Sequence, residues 1–276
     1  MDRMDQPPYS RSLSDAIRFM RERDDFLVVS HVQPDGDAIA STCAVGWILS
    51  ALGKRFVFAN EDPVPEKFRF LPGADRIRAA EELAGTAMPA NLICVDCADY
   101  ARIGSIRHKV PGEAALLNID HHPTNDAFGT VNLLKFDAAA TVQILYDLIE
   151  TAELRWTRDA AECIYAGLLT DTGGFRYANT TPQVMRIAAH LLQEQADGHK
   201  LAQALLERTS LPHVLLLKKA LAALSFTDDR RIAWMSVTAQ DLQETGALEE
   251  DLDGLVNYPR NIHGVEVGLL FKERAG

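Results

Sequence analysis

Phe26-Leu-Val-Val-Ser-His-Val-Gln-Pro-Asp-Gly-Asp-Ala38 joins a short apolar run to a turn crowded with acidic groups and one histidine. The run Phe26–Ser30 has the length and branched side chains of a buried strand, and the stretch from Ala38 to Leu52 has the length of a helix. The arrangement then recurs. Arg55–Ala59 reads as a strand, Leu92-Ile-Cys-Val-Asp96 ends in a carboxylate, and Ala115-Leu-Leu-Asn-Ile119 runs directly into Asp120-His-His122. Alternating strands and helices predict an α/β fold, a mainly parallel sheet with helices on both faces. Parallel strands deliver their following loops to one carboxyl edge, so His31, Asp35, Asp37, Asp96, Asp120, His121 and His122 are expected to converge there. Asp171, closing the apolar run before Thr172-Gly-Gly174, is an eighth candidate.

Each group has a plain structural reading beside the functional one. Pro34 is expected to hold Gln33 extended and Gly36 to permit a tight turn. Alternatively, Pro-Asp-Gly is a simple β-turn and Asp37 caps the helix that follows. Asp96 at the end of an apolar strand needs a cation, donors or water, because a dry unpaired carboxylate is costly. Asp171 beside Gly173 sits at a helix C-terminus, where the macrodipole disfavours negative charge unless a cation compensates. Asp35, Asp37, Asp96 and Asp171 together carry the charge that two divalent cations would balance, with His31 and His121 as neutral ligands. A mixed carboxylate and imidazole set suits Mn²⁺, with Mg²⁺, Co²⁺ or Fe²⁺ as neighbours in preference. Two such ions would lower the pKa of a bridging water and stabilise an in-line displacement, which points to hydrolysis of a phosphoester or phosphoanhydride.

After Val131–Leu134 the pattern turns helical over 138–154, 158–170, 182–195, 200–207 and 214–224, with Thr157 and Thr181 as caps and Pro182 in a favoured first-turn position. Asp197-Gly-His199 reads as the end of one of these helices. Residues 231–237 and 265–271 are strand-like and 239–244 helical. The expected organisation is a first domain over 1–192, a helical connector over 193–212 and a smaller, incomplete α/β domain over 213–276.

At 276 residues and 47% hydrophobic the chain can bury sizeable cores, while a net charge of −11 disfavours long nucleic acid as a partner. Met1–Pro8 lacks the basic start and apolar core of a signal peptide, and no run reaches the roughly 18 apolar residues of a membrane span. A cytoplasmic protein with no membrane partner is expected. Cys94-Val-Asp-Cys97 spells C-x-x-C, but strand alternation would turn the two thiols to opposite faces, and no second pair at zinc spacing exists. All four cysteines read as buried and structural.

His31-x-x-Pro-Asp-Gly-Asp-Ala38, Val95-Asp96, Asp120-His-His122 and Thr170-Asp-Thr-Gly-Gly174, in that order, resemble the four motifs of the DHH phosphoesterase superfamily. Phe70-Leu-Pro-Gly73 and the string Thr170–Tyr177 look most like its nanoRNase/pAp phosphatase branch. That resemblance implies a Mn²⁺-dependent enzyme that degrades short oligoribonucleotides and removes the 3′-phosphate of pAp. It implies that His31, Asp35 and Asp96 hold one Mn²⁺ and that Asp37, Asp96, His121 and Asp171 hold the other. Asp96 would bridge, His122 would face the scissile phosphate, Asp120 would orient the histidines, and Arg176 would contact substrate. It also implies a C-terminal DHHA1 domain with a late glycine-rich segment that contributes to substrate binding. The chain reaches Gly276 without that segment, so it reads as a curtailed DHHA1 domain, and His263-Gly264 reads as a turn rather than a substitute. The resemblance leaves room for a homodimer. Competing expectations are a phosphodiesterase for linear or cyclic dinucleotides, a pyrophosphatase-like relative, and a non-catalytic nucleotide-binding scaffold.

Overall fold

The structure is a computed structural model that describes residues 7–83, 85 and 88–273. Most of the acidic start read above as lacking a leader, residues 1–6, lies outside the described residues. The chain divides into two compact units, Met1–Glu207 and Arg208–Gly276.

The first unit opens with helix α1 (Tyr9–Glu22), which buries one face through Leu13, Ala16, Ile17, Phe19 and Met20. Then come β1 (Phe26–Val29), α2 (Gly36–Ala51), β2 (Phe56–Asn60), β3 (Ile77–Ala79), β4 (Asn91–Val95), β5 (Ala115–Asp120) and β6 (Val131–Leu134). Four α-helices complete it: α3 (Thr141–Thr151), α4 (Arg158–Asp171), α5 (Pro182–Gln193) and the short α6 (Gly198–Ala202), which runs into a π-helical turn at Gln203–Glu207. The six strands form one sheet in the order β3-β2-β1-β4-β5-β6, and every adjacent pair is parallel. The short strands β3 and β6, too brief to stand out by periodicity, extend the sheet at its two edges.

Alternation along the strands builds two cores. Phe26, Val28, Ile93, Val95, Leu117 and Ile119 face the α-helical layer, while Leu27, Val29, Leu92 and Cys94 face a second cluster closed by Leu83, Ile103 and Ile106 from 3-10 segments. Both faces are covered, as strands that read as continuous apolar runs require. Helix α2 lies between the sheet and α4 and buries thirteen of its sixteen residues, so its sequence is apolar on all sides rather than along one stripe. Strand order reverses direction between β1 and β4, and in open α/β sheets the crevice at such a switch point is where ligands bind. Of the ligand-bearing loops, those after β1 and β4 flank that crevice and the one after β5 stands beside it.

Three local expectations are corrected. Gln33 has a φ of 51°, in the left-handed region rather than extended despite preceding Pro34, and its N–H donates to Asp62 Oδ2 at 2.6 Å. Gly36 sits in the first turn of α2 without left-handed backbone. Its requirement is space, because a Cβ there would lie 2.4 Å from Thr170 Cγ2. Asp197 opens α6 instead of closing α5, accepting from Lys200 N–H. Thr157 and Thr181 cap α4 and α5 as read, accepting from Ala160 and Val184 N–H.

The second unit contains α7 (Leu211–Ala222), β7 (Ser225–Phe226), β8 (Ile232–Val237), α8 (Ala239–Thr245), α9 (Asn257–Arg260) and β9 (Val267–Lys272). Its sheet runs β7-β8-β9, antiparallel then parallel, so the short β7 adds a third strand to the two legible in the sequence. A small core of Leu216, Ala220, Met235, Val237, Ala247 and Leu255 holds it. A reciprocal capping box between Thr238 and Asp241 fixes the start of α8, and Gly246 at φ 68° ends it.

Candidate active site

The loop after β1 places His31 and Asp35 at the carboxyl edge. Asp35 is the N-cap of α2, its Oδ1 accepting from Ala38 N–H at 3.1 Å, so the cap is Asp35 and not Asp37. Asp37 lies one step further on, fully buried, and accepts instead from Thr141 N–H at 2.6 Å and Val142 N–H at 3.2 Å. Those are orphan donors at the N-terminus of α3, whose own capping position, Ala140, has no side chain to offer. An aspartate about a hundred residues away in sequence thus caps α3, and the positive end of the helix dipole steadies its charge. Gly167 makes room for it: a Cβ there would sit 2.7 Å from Asp37 Oδ1.

Asp96 follows β4 with a φ of 58°, a left-handed conformation that aspartate tolerates better than most residues. Its N–H stays tied to Ile119 O at 3.0 Å. The twist breaks strand alternation, and Cys94 and Cys97 consequently share one apolar cluster instead of facing apart. Both thiols are free and pushed well above their ordinary range by burial, which removes the redox reading of C-x-x-C.

The Asp96 carboxylate is divided between two imidazoles. Oδ2 lies 3.5 Å from His31 Nε2, and Oδ1 lies 3.6 Å from His121 Nε2 while accepting from Thr141 Oγ1 at 2.9 Å. His31 Nε2 is also 3.8 Å from Asp35 Oδ1, and His121 Nε2 is 3.6 Å from Asp171 Oδ2. Three groups of side chains therefore offer ligand atoms within 4.8 Å of one another: His31, Asp35 and Asp96; Asp37, His121 and Asp171; and Asp96, His121 and His122. All eight residues singled out at the strand and helix ends come together. Arg176 does not join them; it is exposed, and its Nε donates to Gly173 O at 2.5 Å.

Hydrogen bonding sets the tautomers. The Nδ1 of His31 faces Val32 O at 2.7 Å, that of His121 faces Ala138 O at 3.2 Å, and that of His122 faces Asp120 Oδ1 at 2.7 Å. Carbonyls and carboxylates only accept, so each Nδ1 carries a hydrogen, and His31 and His121 turn Nε2 to the carboxylates of the site, as imidazoles that ligate metals do. Crowded negative charge also shifts protonation. Burial, with Asp96 and Asp35 nearby, raises Asp171 to about 8; burial and the same kind of repulsion push Asp37 well above the carboxylate range. Burial opposes charge on His31, but hydrogen bonds to Asp35 and Asp96 prevail and raise it to about 10. Protons here do what cations would do: hard oxygen donors and neutral imidazoles grouped around shared negative charge fit divalent ions.

Two groups escaped the sequence. Thr141 holds Asp96 through its hydroxyl and Asp37 through its N–H; at the head of an apolar helix it looks like an ordinary terminus. Asn125 donates from Nδ2 to Asp120 Oδ2 at 2.7 Å and to Cys97 O at 2.8 Å, and its Oδ1 accepts from Asn118 Nδ2 and Ala127 N–H. Pro123-Thr-Asn125 reads as a turn, and nothing local marks the asparagine as the brace of a buried carboxylate.

A family model described as DHH family, N-terminal domain, matches residues 25–168, from the start of β1 into α4. The chain belongs to the DHH family. The DHH chain is 36% identical over 250 residues to the bifunctional oligoribonuclease and PAP phosphatase NrnA of Thermus thermophilus, covering 90% of this chain and 72% of that protein. It is 30% identical over 264 residues to the protein of the same name from Bacillus subtilis, covering 94% and 81%. Among solved structures, an exopolyphosphatase-related protein from Bacteroides fragilis superposes with a TM-score of 0.85 at 24% identity over 93% of this chain and 78% of that one, a likeness of fold. Membership of the DHH family makes the chain a phosphoesterase, and the converged carboxylates and imidazoles are its candidate catalytic groups.

Proposed function

We propose that this chain is a Mn²⁺-dependent phosphoesterase that hydrolyses short oligoribonucleotides and the 3′-phosphate of pAp. The observation that carries the reading is the Asp96 carboxylate, whose two oxygens face different histidines at 3.5 and 3.6 Å between two otherwise separate ligand groups. The names of the relatives from Thermus thermophilus and Bacillus subtilis supply the substrate class.

In this reading His31, Asp35 and Asp96 hold one Mn²⁺, and Asp37, Asp96, His121 and Asp171 hold a second. When bound, the pair supplies Lewis acidity and neutralises charge developing at phosphorus. The remaining work falls to the chain. Thr141 and the N-terminus of α3 keep Asp96 and Asp37 aimed before any ligand arrives, so little reorganisation is needed at the moment of reaction. His122 has its Nδ1–H occupied by Asp120, which raises its proton affinity, and Nε2 remains to face the substrate. A proton held at Nε2 can stabilise a phosphate oxygen or pass to the leaving oxygen while Asp120 steadies the ring. Asp120 is fully buried and braced by Asn125, so it positions rather than reacts. A net charge of −11 supports short substrates over long nucleic acid. Four free, buried cysteines support a reducing, cytoplasmic setting, and no helix among the described residues is long and apolar enough to cross a membrane. We read residues 213–276, within the second unit, as a DHHA1-like domain.

The test is hydrolysis of pAp and of the dinucleotide pApA in Mn²⁺, followed by phosphate release and by the appearance of mononucleotides. Cleavage of both or either is expected, with Asp96→Ala losing at least about 1,000-fold in kcat/KM. Inertness of the natural protein toward both substrates would reject the function, and undiminished cleavage by the Asp96→Ala variant would reject the site.

A further inference from the structure

Arg102 lies in the 3-10 segment Tyr100–His108, just beyond the Asp96 loop. Its backbone is secured from two sides: its N–H donates to Asp99 Oδ1 at 3.1 Å, and its carbonyl accepts from Val32 N–H at 2.7 Å. Val32 adjoins His31. Arg102 is thereby fixed at the wall between the loops that follow β1 and β4, the two loops flanking the switch point of the sheet.

Its side chain is half-buried, yet among the described residues it has neither a hydrogen bond nor an ion pair. The other arginines nearby are committed. Arg107 donates to Ala101 O and His108 Nε2, and Arg176 donates to Gly173 O. Arg102 is held by its backbone next to the loop that carries His31, and its side chain has no partner among the described residues. A guanidinium presents a planar fork of donors that matches phosphate oxygens two at a time, and it stays charged at any working pH.

We propose that Arg102 grips a phosphate oxygen of the substrate at the wall between the loops that follow β1 and β4. It is a substrate-contacting residue additional to the ligand set, and this assignment rests on the phosphoesterase reading above. It gives an acidic protein a positive contact for a polyanionic substrate.

Arg102→Ala and Arg102→Lys decide the matter, measured against the natural protein by steady-state kinetics on pAp, by calorimetric titration with Mn²⁺ alone, and by titration of the Mn²⁺-loaded proteins with inorganic phosphate. Arg102→Ala is expected to raise KM for pAp about 10- to 100-fold and to weaken phosphate binding by a similar factor, as loss of a charge-assisted hydrogen bond does, with Mn²⁺ affinity unchanged. Arg102→Lys is expected to recover only part of this, because an ammonium lacks the fork. It carries the same test if the alanine variant fails to fold. KM and phosphate affinity within about twofold of the natural values would overturn the assignment, as would a fall in Mn²⁺ affinity that accounts for the whole loss. The phosphate titration needs no turnover. If the natural protein is inert on pAp and pApA, the functional reading fails, while the difference in phosphate binding still decides Arg102.

Discussion

Asp96 and Asp35 face the same imidazole, His31, yet 2% of one side chain and 58% of the other is exposed. The contrast runs through the site. Its floor consists of Asp37, Asp96 and Asp120, each buried and each already engaged by donors from α3, Thr141 or Asn125. Its rim consists of Asp35, Asp171 and His122, partly or largely open. A buried carboxylate is tolerable only when its lone pairs are satisfied, so the floor is rigid by necessity. The rim, with water available, can wait for ligand and substrate. Geometry is stored in the floor and recognition is left to the rim.

The largest effect should come from removing charge from the floor. Asp37→Asn keeps the volume but replaces one acceptor oxygen with a donor facing the N-terminal amides of α3, so activity should fall at least about 1,000-fold. Thermal scans should also show that Mn²⁺ no longer stabilises the variant. In the natural protein, ligand at about 100 times its Kd should add roughly 2.7 kcal/mol, and an Asp37→Asn variant with full activity would refute the division.

Thr141 tests the floor without replacing a ligand. Thr141→Val should weaken Mn²⁺ affinity about 10- to 100-fold by calorimetry, and Thr141→Ser should restore it, since the hydroxyl and not the methyl group holds Asp96. Equal behaviour of the two variants would mean that the contact is only packing.

A third prediction concerns pH. Asp171, raised to about 8, and Asp37, raised well above the carboxylate range, bind protons in the folded metal-free state that the unfolded chain has already released. Their stabilising contribution is complete below the ordinary carboxylate range and is lost as pH rises through the folded values. His31, raised to about 10, contributes fully below 6.5 and loses that contribution as pH climbs toward 10. Metal-free protein should therefore melt at progressively lower temperature between pH 5 and 9, a window spanned by these shifts. Mn²⁺ bound as proposed would replace the protons, so binding should release them and tighten with rising pH, as titrations in buffers of different ionisation enthalpy will report. A flat or rising metal-free melting curve would contradict the crowded charge of the site.

Asn125→Ala should act through Asp120 on His122, lowering kcat by about tenfold while leaving Mn²⁺ affinity near its natural value. The smallest effect belongs to Arg176→Ala, expected within about threefold in kcat/KM, because that side chain is exposed and turned back onto the Gly173 carbonyl. A large loss there would move the substrate-binding rim to the far side of Asp171.

Much of the fold was legible because parallel strands buried on both faces leave continuous apolar runs, and the chemistry sits where those runs stop. Local backbone was less legible. Gln33 turns left-handed before a proline because Asp62, distant in sequence, takes its N–H, and Asp96 breaks the alternation that would have separated Cys94 from Cys97. Gly36 looked like a turn residue, but its role is to let α4 approach at Thr170.

By itself the sequence named the residues that converge in the candidate site, because carboxylates and histidines at the ends of apolar runs have few other reasons to be there, and their order is that of the DHH motifs. Only the tertiary structure decided how they are held. The partners of the floor come from far along the chain: α3 caps Asp37, Thr141 fixes Asp96, and the carbonyls of Val32 and Ala138 set the imidazoles. Hydrogen bonds between distant segments leave no period in a sequence, because each is set by where the folded backbone passes.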